Sequence, residues 1–205
     1  MKGYVKIRQE AMQILENGLP DNLYYHGSHH TMDALRVSTD YLQATGVDPR
    51  SAKLLRIGIL FHDIGFTVAR ENHELESVRI VHNSMTSLGF PKRDIRVVEG
   101  LIWATKVPQS PNNDLERIIG DVDLDYLGRK DYYKISDQLY RELKAYKEIN
   151  SKVEWDLRQV RFLEAHRYHT DFALEKREPF KRRRLDELEK RIRSNGWEMV
   201  SRGIF

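Results

Sequence analysis

The chain has 205 residues, with 34 Lys and Arg against 31 Asp and Glu and a formal net charge of +3. A charge that small excludes reliance on a strong basic field, while 40% apolar and 32% charged residues describe a soluble globular chain long enough to bury a core. The absence of cysteine excludes disulfides, thiolate metal sites and cysteine nucleophiles, and it fits a reducing compartment.

The apolar pattern has helical period nearly throughout. Tyr4, Ile7, Ala11, Ile14 and Leu15 make a first stripe, stopped by Asn17-Gly18; Ala34, Leu35, Ser38, Tyr41 and Leu42 make a second, ending at Gly46. Asp48-Pro49 is a cap and first-turn pair for a third helix. That helix carries Leu54, Leu55, Ile57, Gly58 and Phe61, is apolar on most sides and is expected at the centre. A fourth helix is predicted from about Asn72 to Leu88, stopped by Gly89, and a fifth follows Pro91 through Ile95, Val98 and Ile102. Val107 to Asn113, with two prolines and two asparagines, reads as a loop. Leu115 to about Tyr126, Asp131 to Asn150, Trp155 to His166 and Thr170 to Ser194 complete the set, the last with a break at Glu178-Pro179. No run of period-two alternation bounded by turns stands out, so the fold class is all-α. The expectation is one domain over 1–205, a compact bundle of about eight or nine helices, with those from about 152 to 205 packing on or extending the core.

The longest apolar run, Ile57 to Phe61, is five residues with a glycine inside, far below the roughly 20 of a membrane span. The opening MKGYVKIRQE has no apolar core of a secretory signal. A cytoplasmic protein with no membrane partner is expected.

The eight histidines are unevenly spread. His26, His29 and His30 lie within five residues, and His62 is followed directly by Asp63. Without cysteine, any metal must be held by imidazole and carboxylate, which suits a divalent ion such as Mn, Mg, Fe, Ni, Zn or Co. In LLRIGILFHDIGF an apolar helix ends on the His62-Asp63 pair. An ionised Asp there is costly unless paired, and a cation is a natural partner. The alternative is an Asp that caps the turn beside a His bonded to backbone. Asp121, Asp123 and Asp125 lie in IIGDVDLDYLG; on a helix Asp121 and Asp125 share a face, with Asp123 about 200° away. A metal therefore meets Asp123 or the other pair.

Tyr25-His26-x-x-x-His30-Thr31, then Phe61-His62-Asp63-Ile64-Gly65, then Asp121-Val-Asp123-Leu-Asp125-x-Leu127-Gly128 stand in the order of the H…HD…D signature. The chain thereby resembles the HD phosphohydrolase superfamily, and Ile102-x-x-Thr105 and Phe162-Leu-x-x-His166 are similar to further elements of its small stand-alone bacterial members. The resemblance implies a PDEase-like HD fold and one divalent metal held by His30, His62, Asp63 and Asp123, with Asp121 as the runner-up. It implies His26 as a general acid and Glu74, ahead of Glu71, as the base or water-orienting group. His73 and Lys106 are expected to bind substrate. The implied activity is hydrolysis of a phosphomonoester, phosphoanhydride or phosphodiester, with a nucleotide as the expected partner. A homodimer is left open.

Departures narrow the reading. No GYP element is present, and after the HD pair only His73 and His82 precede His166, so a second metal is under-supplied and an oxygen-using diiron enzyme is disfavoured. A non-catalytic sensing or interaction domain on the same fold is the other alternative. His82 is expected in the core and His29 exposed. Asp121 and Asp125 are expected on a solvated face or at a cap if they do not ligate. His166, Tyr168 and His169 are expected to pack rather than ligate. Lys181 to Arg184, among Glu178, Asp186, Glu187 and Glu189, reads as a solvated ion-paired face, so no nucleic-acid partner is expected.

Overall fold

The computed structural model describes residues 3–196. Among them lie ten α-helices and two 3-10 turns, with no strand. The all-α expectation therefore holds. The described residues form two compact units, one within Met1–Leu124 and one within Asp125–Phe205.

The first unit contains α1 (Tyr4–Gly18), α2 (Ser28–Thr45), α3 (Pro49–Phe61), a 3-10 turn (Ile64–Thr67), α4 (His73–Ser87), α5 (Lys92–Thr105) and α6 (Asp114–Asp123). Helix α3 is its axis, as the all-round apolar pattern predicts, and it touches α1, α2, α4, α5 and α6. Asp48 starts it by accepting from the amides of Arg50 at 2.9 Å and Ser51 at 3.1 Å, with Pro49 in the first turn. Leu54, Ile57, Leu60 and Phe61 of α3 join Ile7, Ala11 and Leu15 of α1, Val81 and Met85 of α4, and Ile95, Val98 and Ile102 of α5 in one core. Each such Leu or Ile adds about 1.5–3 kcal/mol on burial. Gly58 lets α3 approach α5 closely, since a Cβ there would stand 3.0 Å from Leu101 Cβ.

The second unit contains a 3-10 turn (Asp125–Gly128), α7 (Tyr132–Ala145), α8 (Lys152–Ala165), α9 (Asp171–Lys176) and α10 (Glu178–Ser194). Leu143, Ile149 and Trp155 form an apolar cluster with Leu139 and Tyr140 against it. Beside it runs a buried polar chain. Arg191 donates twice to Asp156, at 2.8 and 2.7 Å, while Gln159 Oε1 accepts from Tyr132 and Ser136. The break at Glu178-Pro179 is observed, with Pro179 in the first turn of α10. Residues 197–205, part of the expected C-terminal helices, lie outside the described residues.

Several expectations need correction. Helix α6 stops at Asp123 instead of reaching Tyr126. Leu124 turns out of the helix and Asp125 opens a 3-10 turn, where its buried carboxylate takes a 2.6 Å hydrogen bond from Arg177 Nε. Asp125 and Asp121 are both buried, on neither a solvated face nor a common helix. Helix α7 ends at Ala145, because Lys147 has a positive φ of 59° that no α-helix accommodates. Lys181 is only 2% exposed: its ammonium donates to the His166 carbonyl at 2.7 Å and pairs with Glu178 at 3.0 Å. Its neighbours Arg182 and Arg184 do hold the expected ion pairs, with Glu178 and Glu187. His82 points out of the core to Glu99 at 2.7 Å, because the inward face of α4 is Ser77, Val81, Ser84 and Met85. His29 is exposed and His166 is packed, as predicted.

Candidate metal centre

Three helices of the first unit bring four side chains to one point. His30 sits in the first turn of α2, His62 and Asp63 directly follow α3, and Asp123 is the last residue of α6. His30 Nε2 is 3.2 Å from His62 Nε2, 3.1 Å from Asp123 Oδ1 and 3.5 Å from Asp63 Oδ2. His62 Nε2 is 3.1 Å from Asp63 Oδ2 and 3.4 Å from Asp123 Oδ1. Ligands about 2.0–2.2 Å from a shared ion stand roughly 3.0–3.5 Å from each other in octahedral or tetrahedral arrangements, which is the spacing seen. His30, His62 and Asp123 form a group able to hold a metal ion. Asp63 adds a buried oxygen, Oδ2, that has no hydrogen-bond partner although two imidazole nitrogens face it. A cation among these atoms satisfies that oxygen and separates the two nitrogens, so the residues fit a divalent ion.

The local backbone explains the convergence. His62 Nδ1 lies 2.8 Å from the Ile59 carbonyl, which can only accept, so Nδ1 carries a proton and Nε2 is the nitrogen left to ligate when a metal is bound. Of the alternative reading only the His62 half is observed, with one nitrogen on backbone; the Asp63 side chain makes no capping bond to the turn that follows it. Ser77 of α4 braces the corner. It is fully buried; its Oγ accepts from the Gly65 amide and donates to the His62 carbonyl, both at 2.8 Å. Gly65 permits this contact, because a Cβ there would fall 1.9 Å from the His73 carbonyl oxygen.

The electrostatics match an ion site held open. Burial pushes the His62 pKa down, but the Asp63 and Asp123 carboxylates outweigh it and raise it well above the ordinary value. Burial likewise opposes ionisation of Asp63 and Asp123. Asp63 is nonetheless held far below the carboxylate range by His62, His26 and His30, and Asp123 is lowered to about 2 by hydrogen bonds with His30 and His62. Without metal, a proton on the His62 imidazole takes the cation's place.

The other expected residues are placed unequally. His73 Nε2 is 3.6 Å from Asp63 Oδ1, which puts it at the corner, and 3.8 Å from the Oε1 of its buried neighbour Glu74 in the first turn of α4. Burial lowers the His73 pKa, against the pull of Asp63 and Glu74. His26 is half-buried; its ring stacks on Phe66 at 4.5 Å and stands 6.3 Å from the rings of His30 and His73. Phe66 also stacks on His73 at 4.0 Å. Glu71 is exposed before α4. Lys106 is exposed beyond the end of α5, its ammonium 5.7 Å over the Trp103 ring. Asp121 is buried and lies outside the group able to hold a metal, which takes Asp123 in its place. Sequence reasoning missed the roles of Ser77, Phe66 and Tyr25, whose ring packs at 4.7 Å on His30. The Glu74-x-x-Ser77 spacing was the one available signal for Ser77.

Compared with protein-family models, curated proteins and solved structures, the chain matches none.

Proposed function

We propose that the chain is a metal-dependent phosphohydrolase of the HD type, acting on a phosphate ester or anhydride, with nucleotides as the substrate class. The observation that carries this reading is the convergence of two Nε2 atoms and two carboxylate oxygens at 3.1–3.5 Å, with Asp63 Oδ2 buried and unsatisfied. The order of the motifs, similar to the superfamily's H…HD…D signature, supports it.

A divalent ion bound there supplies a Lewis acid and a water acidic enough to act as nucleophile near neutral pH. His30, His62, Asp63 and Asp123 hold it. Two imidazoles and two carboxylates leave coordination positions free, the mark of a catalytic rather than a structural site. Access is from the side of Asp123 and His73, whose side chains keep 14% and 20% exposure against 2% for His62. Glu74 receives the proton of the attacking water and His73 steadies Asp63 and the substrate phosphate. His26, held by Phe66, donates a proton to the leaving oxygen.

The test is phosphate release from a panel of nucleotides and from a generic phosphodiester, in Mn or Mg, for the wild-type chain and for His62→Ala. The expected result is turnover by the wild type and a loss of at least about a thousandfold in the variant, with helical circular dichroism preserved. A metal-loaded wild type that hydrolyses nothing in the panel would overturn the reading and favour a sensing domain.

A further inference from the structure

A cleft of about 420 Å³ lies in the first unit between α5 and the start of α6, lined by Arg93, Arg96, Val97, Leu101, Leu115 and the Asn113–Glu116 pair. None of the four candidate metal ligands lines it. Along α6 it sits at the Asn113 end, about 15 Å from the Asp123 end by helical rise. Its volume is within the range of small-molecule sites, about 300–1,000 Å³.

Helical spacing places Arg93, Arg96, Val97, Gly100 and Leu101 on one face of α5. Gly100 leaves that face without a side chain where Glu116 crosses it; a Cβ there would stand 3.2 Å from Glu116 Oε1. The floor is apolar, from Val97, Leu101 and Leu115, and Val97 remains 37% exposed.

The charges around the cleft do not balance. Arg96 is exposed and makes no ion pair or hydrogen bond among the described residues. Arg93 has only Asp94, at 3.8 Å, and that buried carboxylate is already held by Arg50. Glu116 is spent on its own loop: Oε2 accepts from the Asn112 amide at 2.7 Å and Oε1 from Asn113 Nδ2 at 2.7 Å. Asp114, next in line, is paired with Arg117 at 2.7 Å. Two guanidiniums three residues apart on one helix repel each other, and among the cleft's lining residues they face one carboxylate, Glu116, which keeps its charge while bonded to loop amides.

We propose that this cleft is a second ligand site, separate from the metal centre, for a free organic anion with a flat apolar body. A phosphate, sulfonate or carboxylate group is held by Arg93 and Arg96, and the body lies on Val97, Leu101 and Leu115. Guanidiniums offer the forked donors that such oxyanions accept. The volume and the short apolar floor fit one small molecule.

Naphthalene-2-sulfonate is a suitable probe, because it carries both features and has no phosphate to hydrolyse. It is titrated into the full chain with methyl chemical shifts as the readout. Naphthalene-2-ol and inorganic sulfate serve as the two halves, and Arg93→Gln/Arg96→Gln as the variant. The expected result is saturable shifts at Val97, Leu101 and Leu115, with the variant and each half binding roughly tenfold or more weakly than the wild type with the whole probe. The proposal fails if the sulfonate shifts no cleft methyl or if the variant binds it equally well. It also fails if naphthalene-2-ol binds as tightly, if the shifts centre on Ile59, Ile64 and Val122 beside the metal ligands, or if only an acidic peptide occupies the cleft. None of these outcomes depends on phosphate hydrolysis.

Discussion

His62 carries two bonds that pull in one direction. Its Nδ1 proton is fixed on the Ile59 carbonyl, so the other nitrogen has no role except toward Asp63, His30 and Asp123. In the metal-free protein its raised pKa has a signed consequence for stability. A folded pKa above the unfolded value near 6.5 contributes stability that is fully present below about pH 6.5 and lost as pH rises through the folded pKa. Asp123 works the other way: lowered from 3.8 to about 2, it contributes stability above its unfolded pKa that is lost as pH falls toward 2. The metal-free chain should therefore lose stability as pH rises above about 6.5, by denaturant melts. A bound divalent ion replaces the imidazole proton, so metal affinity should rise over the same range and proton release should accompany binding. An affinity flat between about pH 6 and pH 8.5 would contradict this account.

Ser77 is a second residue-scale test. Its hydroxyl links α4 to the turn that carries the ligands. Ser77→Ala leaves the Gly65 amide and one acceptor at His62 unmet in a buried place, at a cost of about 1–3 kcal/mol. Metal affinity, measured by calorimetry, should fall about 10–100-fold, as for other groups that orient ligands from behind. Ser77→Thr, which keeps the hydroxyl, should recover part of the affinity, whereas a variant that loses stability alone would show no such recovery.

Among the elements, α3 was the most legible. Its cap, its first-turn proline and its apolar run all point to one helix, and its position at the core follows from having almost no polar face. Helix ends were less legible where a tertiary partner decides them. The pattern runs on past Asp123, but Asp125 turns toward Arg177, a residue 52 positions away that no local reading can supply. His82 and Lys181 failed for the same reason: each lies in a stretch whose average polarity is correct while its own direction is set by neighbours in space, Glu99 for one and the His166 carbonyl for the other. The His30, His62 and Asp123 group was legible because residue types, order and flanks agree. At this scale Gly65→Ala is the sharpest test. Its added Cβ meets backbone at the start of α4, not a flexible side chain, so α4 must shift from the corner. The variant should lose several kcal/mol in a denaturant melt, or bind metal far more weakly if it folds.

For the whole molecule, all four candidate ligands lie within the first unit. No helix among the described residues is long and apolar enough to cross a membrane. An ion that binds only the folded chain stabilises it by mass action, about 2.7 kcal/mol at a hundredfold excess over Kd. Hydrogen exchange should then slow at the start of α2, the end of α3, the first turn of α4 and the end of α6. Exchange in α8 and α10 should change much less. Equal slowing in both units would place the binding event elsewhere.

The most direct test is anomalous diffraction from crystals of the full chain grown with Mn, collected on both sides of its absorption edge. The account predicts one strong peak about 2.0–2.2 Å from His30 Nε2, His62 Nε2, Asp63 Oδ2 and Asp123 Oδ1. Well-ordered side chains at that corner with no anomalous peak among them, or a peak held by other residues, would contradict it.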